Sequence, residues 1–61
     1  MNIEMLKENF KEILEHETRA KYFYNHYIDQ IDDEDIKGML MGIRNDEVAH
    51  MKIAQELIDS V

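Results

Sequence analysis

The sequence predicts an all-α protein, an antiparallel two-helix hairpin that pairs with a second copy into a four-helix bundle. Three observations predict it. The chain has no proline, and its only glycines are Gly38 and Gly42. Apolar residues recur at steps of three and four almost from end to end, the period of one helix face. The single interruption is an acidic run, IDDED, at residues 31 to 35.

The first helix is predicted over about residues 2–30. Its stripe is Ile3, Leu6, Phe10, Ile13, Glu17, Ala20, Tyr24, Tyr27 and Ile31, the seam pattern of coiled coils and four-helix bundles. A turn follows at 31–32. Asp32 is the predicted N-cap of the second helix, its carboxylate accepting from free backbone amides. Asp33, Glu34 and Asp35 then set negative charge on that helix's positive end. Ile31 and Ile36 bracket the cap in a hydrophobic-staple arrangement. The second helix is predicted over about 33–60, with the stripe Ile36, Leu40, Ile43, Glu47, His50, Ala54, Leu57 and Val61. A connection this short makes the helices antiparallel neighbours.

Size supplies the argument for a second copy. A chain of about 60 residues hides only roughly 60 % of the surface its unfolded form exposes, and marginal domains of this kind lean on disulfides, metals or self-association. With no cysteine among the 61 residues, disulfides, thiolate zinc sites and iron–sulfur clusters are excluded. Each helix of a hairpin shields only one flank of the other, so two hairpins with two-fold symmetry are the economical way to cover both stripes. The formal charge of −7, from 14 acidic against 7 basic residues, disfavours nucleic-acid partners and attracts divalent cations. The acidic, interrupted N-terminus fits neither a signal peptide nor a membrane span. A soluble, cytoplasmic protein is expected.

Glu17, Glu47 and His50 are the stripe residues that carry charge or titrate near neutral pH. Buried carboxylates left unpaired cost several kcal/mol each. With the hairpin turning near residue 32, Glu17 and Glu47 each lie about 22 Å from the turn at 1.5 Å per residue, and His50 is one turn beyond on the same face. The three therefore share one level. If a two-fold axis passes there, the dimer assembles four carboxylates and two imidazoles, a donor set suited to iron or manganese and tolerable for zinc. Ala20 and Ala54, one turn away, leave room for metals, water or dioxygen. A buried polar network that fixes register would use the same residues, but the shared level and the Glu…Glu-x-x-His order favour metal.

ETRAKYFY (residues 17–24) followed by EVAH (residues 47–50) resembles the ferritin-like superfamily, rubrerythrins included, and is most similar in length and spacing to the encapsulated ferritins. The resemblance implies that each chain supplies half a bundle and that a ferroxidase centre forms across a two-fold interface, for iron storage or detoxification. It implies Glu17 as a terminal carboxylate, Glu47 as the bridge between two irons, His50 as a terminal ligand, and Tyr24 close by as a hydrogen-bond donor to a carboxylate or an ordinary core aromatic. It also implies a homodimer at least, a larger ring of dimers, and an encapsulin shell. The family's C-terminal extension and targeting peptide have no counterpart in these 61 residues. Peroxide reduction of the rubrerythrin kind is the alternative activity and would need an external electron donor. A metal-free hairpin adaptor is the alternative of a different class, and it leaves the triad unexplained.

Around the triad, Asp46 reads as a solvated acid, or as a group that orients an imidazole or attracts iron. His16 reads as a surface histidine beside Glu17, with metal entry as the functional alternative; His26 has no assigned role. Gly38, Gly42, Asn45 and Ala49 form a small-residue strip facing away from the stripe, and Tyr22, Met41 and Val48 add apolar surface there. That face is read as a second interface between dimers.

Overall fold

The computed structural model describes residues 2–61 and is a hairpin of two helices, α1 (Ile3–Gln30) and α2 (Glu34–Asp59). It measures 47 × 14 × 13 Å. Among the described residues there is no strand, and no helix is long and apolar enough to cross a membrane.

Local chemistry sets the helix ends. Asn2 caps α1: its Oδ1 accepts from the Met5 amide at 2.7 Å, satisfying one of the amides that a helix start leaves without a partner. At the other end α2 closes on Ser60, whose amide donates to the Glu56 carbonyl at 3.0 Å and whose hydroxyl donates to the Leu57 carbonyl at 2.8 Å.

The connection differs from expectation by one residue. It spans residues 31–33, and the N-cap of α2 is Asp33, not Asp32. Asp33 Oδ1 accepts from the amides of Asp35 (2.9 Å) and Ile36 (3.1 Å). At position 33 one carboxylate oxygen accepts from two of the free amides at the helix start, and that local chemistry fixes the cap there. With the cap at Asp33, Ile31 and Ile36 no longer hold the N′ and N4 positions of a hydrophobic staple, and Ile36 is 49 % exposed.

The core is thin. Ile28, Ala54 and Ile58 are the buried apolar residues. Leu6, Phe10, Leu14, Glu17 and Tyr24 on α1, Ile31 in the connection, Leu40, Arg44, Glu47 and Met51 on α2, and Val61 beyond it are half-buried in or beside the seam between the helices. The polar link Arg44 Nη1 to Asn25 Oδ1, 3.2 Å, crosses that seam. The predicted stripe is split lengthwise. Ile13 and Tyr27 on α1, and Ile36, Ile43, His50 and Leu57 on α2, are exposed. At 100° per residue these lie clockwise of the seam on one helix and anticlockwise on its antiparallel neighbour, so both sets emerge on the same side of the hairpin. The result is one long apolar face with His50 in it.

Candidate metal centre

Regular helical phase brings the triad together. Glu47 and His50 are three apart on α2 and so share a face; Glu17 comes from α1 at the matching height. One ligand atom from each lies within 4.8 Å of the others. Two donors on opposite sides of a single cation, each at about 2.0–2.2 Å, stand about 4.4 Å apart. The cluster is slightly wider than that span.

The environment is graded across the cluster. The Glu17 side chain is 24 % exposed and the His50 side chain 55 %, with Glu47 half-buried between the helices. His50 Nδ1 lies 3.4 Å from Glu17 Oε2, an ion-pair contact when the imidazole is protonated. That same Oε2 is buried and accepts no hydrogen bond. A carboxylate oxygen taken out of water without a donor is costly, and buried polar atoms of this kind call for an explanation. A bound cation would satisfy the oxygen, as would a proton shared with a neighbouring acid.

The two carboxylates also act on each other. The Glu47 carboxyl is pushed above its ordinary value, first by the hydrogen bond it can share with Glu17, then by desolvation and by the Glu17 charge, with Asp46 adding to it; His50 pulls the other way. One proton reconciles this with the bare Glu17 oxygen. When both acids are ionised neither can donate, and when one is protonated the pair can share it.

Tyr24 is half-buried, stacks edge-on against Phe23 at 6.4 Å between ring centroids, and makes no hydrogen bond to Glu17 or Glu47 among the described residues. Its placement is that of a packing aromatic one turn and more from the acids. His16 Nδ1 faces the Arg19 guanidinium at 3.3 Å, a partner that repels an incoming cation. His26 Nε2 meets Gln30 at 3.1 Å and packs on Tyr27. Asp46 is exposed and reaches Glu47 only through its charge. Sequence reasoning missed the Arg44–Asn25 link beside the site; a long guanidinium stem spans more than one turn, so helical level alone does not reveal it. Ala20 is half-buried and Ala54 buried, small on either side of the triad.

Comparison of the chain with protein-family models, with curated proteins and with solved structures returned no match.

Proposed function

We propose that the chain is half of a di-iron protein that oxidises Fe(II) at a centre shared by two copies, in the manner of ferritin-like ferroxidases. The observation that carries this reading is the buried, donor-free Glu17 oxygen inside a Glu/Glu/His cluster. The cluster lies beside a partly exposed apolar face, where Ile13, Tyr27, Ile36, Ile43 and Leu57 are all between 38 % and 49 % exposed, and a face of this kind supports pairing with a second copy. One chain offers three ligands. Two copies, meeting through that face, offer four carboxylates and two imidazoles, which balance two divalent ions and set them side by side.

Ferrous iron is the substrate. Two Fe(II) each give up one electron, and dioxygen takes both together with two protons to leave as hydrogen peroxide. The chain's own residues bind and space the ions: Glu17 and His50 at the ends, Glu47 between, with Ala20 and Ala54 keeping the neighbouring turns clear. Hard oxygen donors stabilise the ferric product over the ferrous substrate.

The test is oxygen uptake after addition of ferrous salt to protein prepared without metal. Uptake that exceeds the protein-free rate, near one dioxygen per two irons, with two irons retained per pair of chains, supports the reading. A rate equal to buffer, with no iron retained, overturns it. Faster iron oxidation with peroxide than with dioxygen would transfer the site to the peroxide-reducing class.

A further inference from the structure

We propose that the hairpin binds a linear chain of phosphates along the flank opposite its apolar face, on a row formed by Lys7, Lys11, Lys21, Lys37, Arg44 and Lys52. The inference needs no metal and stands apart from the reading above.

Helical phase divides the two flanks. Ile28 and Ile58 mark the buried line of each helix. Ile13, Tyr27, Ile43, His50 and Leu57 turn to one side of that line, and the six cations turn to the other by roughly 20–120°. Two contacts bear this out. Arg44 Nη1 reaches across the seam to Asn25 Oδ1 at 3.2 Å on that side, and Lys21 Nζ lies 5.1 Å from the centre of the Tyr22 ring. Of the 7 Lys and Arg residues in the chain, only Arg19 is off this flank, on the back of α1. The apolar flank carries none. A chain of net charge −7 thus presents one positive line.

The line runs most of the way along the hairpin. Measured from the shared level of Glu17 and Glu47, Lys21 and Arg44 stand about 4.5–6 Å towards the turn and Lys11 and Lys52 about 7.5–9 Å towards the open end. Lys37 and Lys7 stand about 15 Å out in either direction, so the row is about 30 Å long. Lys7, Lys21, Lys37 and Arg44 are half-buried, with their stems laid along the hairpin. Acids outnumber cations 14 to 7, yet among the described residues Lys11, with Glu8 at 3.2 Å, is the one lysine or arginine in an ion pair. By the same phase the acids stand elsewhere. Glu12, Glu15 and Glu56 lie on the backs of the helices, and Glu4, Asp29 and Asp59 lie at the ends of the row.

Width and donor chemistry choose the occupant. The hairpin is 14 × 13 Å in cross-section, and a helix with its side chains is about 10–12 Å across. An acidic helix laid on the row would set carboxylates against Glu15 and Glu56, and a duplex or a membrane surface would meet still more of the flanking acids. A single file of phosphates delivers its charge to the cations and stops short of those acids. Five of the six cations are lysines, whose ammonium groups bind phosphate as point charges, whereas carboxylate is best gripped by the fork of an arginine. On Arg44, Nε and Nη2 both donate to Asn45 Oδ1, at 3.3 Å and 3.0 Å, and Nη1 donates to Asn25. That fork is taken.

Calorimetric titration of the metal-free chain with medium-chain sodium polyphosphate, from low to physiological salt, tests the row. Binding is expected, and log K is expected to fall against log salt with a slope of about −4, roughly 0.7 for each of the cations engaged. Lys21→Gln/Lys37→Gln is expected to bind more weakly, with the slope reduced to about −3. Arg19→Gln, which removes the cation off the row, is expected to bind as the parent does. Circular dichroism checks that each variant keeps its helices. No binding at low salt, or a double variant that binds as the parent does, overturns the proposal. So does tighter binding of sodium polyglutamate or of a single-stranded oligonucleotide than of polyphosphate, which gives the row to a different polymer. A parent oligomer that the double variant dissociates in the ultracentrifuge overturns it in favour of contact between copies.

Discussion

His50 Nδ1 stands 3.4 Å from Glu17 Oε2 across the two helices, and that oxygen, though buried, receives no hydrogen bond among the described residues. The contact is thus a near miss between an imidazole and a carboxylate that both point at the space beside Glu47. If the space is a cation site, the three residues differ in importance, and Glu47 matters most. Glu47→Ala removes the ligand placed between the helices and is expected to reduce retained iron from two per pair of chains to none. Glu17→Ala and His50→Ala are expected to weaken binding with one ion still weakly held. His26→Ala, engaged only with Gln30 and Tyr27, is expected to bind as the parent does. Iron analysis after gel filtration measures all four.

The same bare oxygen predicts a stability effect of opposite sign with and without metal. Glu17→Leu replaces an unsatisfied carboxylate with an apolar group of similar volume, and such exchanges are neutral or stabilising by about 1–3 kcal/mol. The metal-free variant is expected to melt at higher temperature than the metal-free parent. The gain from adding Fe(II) or Mn(II), which stabilises whatever folded state binds it, is expected to be smaller in the variant. Thermal melts by circular dichroism, each run with and without metal, decide it; a parent that is already the more stable metal-free form contradicts the cost assigned to Glu17.

Glu47 gives the pH dependence. Its carboxyl is raised above the ordinary value of 4.5 in the folded chain, so between the unfolded and folded values the folded state holds more protons than the unfolded one. Stability then falls as pH rises through that window, the reverse of the behaviour of a salt-bridged acid. Its contribution is fully present below the unfolded value and lost above the folded one. Metal reverses the preference, because a ligating carboxylate must be ionised. Metal-free melts of the parent compared with Glu47→Gln, over about pH 4 to pH 7, are expected to show the parent losing stability relative to the variant as pH increases. Metal affinity is expected to rise over the same range.

Much of this was legible in the sequence because helical period is a strong signal. The stripe gave two helices, the acidic interruption gave the turn, and equal distance from that turn brought Glu17 and Glu47 to one level, as the structure has them. The stripe did not resolve its own two flanks. Ile28 and Ile58 are buried, and Leu14 and Met51 are half-buried, yet none of them lies on the predicted line. A seam drawn through the centre of a bundle runs between the surface facing the other helix of the hairpin and the surface left for another chain. A helix of 3.6 residues per turn spreads its contacts over a stripe wider than one line. The cap lies at Asp33 rather than Asp32, and in a run of adjacent acids spacing alone does not choose between two candidate caps. Tyr24 shows the limit at the site: spacing placed it near the acids, but only side-chain packing shows its ring on Phe23.

Gly38 and Gly42 carry the last prediction. Neither has a positive φ, and a Cβ built at either meets nothing within 4 Å. Nothing inside the hairpin therefore requires glycine, although each costs a helix interior about 1 kcal/mol relative to alanine. Gly38→Ala and Gly42→Ala are accordingly expected to stabilise the isolated hairpin and its dimer by roughly 0.5–1 kcal/mol each, with iron oxidation unchanged. If the face that they share with Asn45 and Ala49 is where dimers meet, a bulky charged pair separates the two levels of assembly. Gly38→Glu/Gly42→Glu is then expected to keep the dimer and its iron centre while losing any larger particle, as read by ultracentrifugation. A double variant that sediments as the parent does, whatever the parent's size, removes this face from the assembly and leaves the two glycines as a plain loss of helix stability.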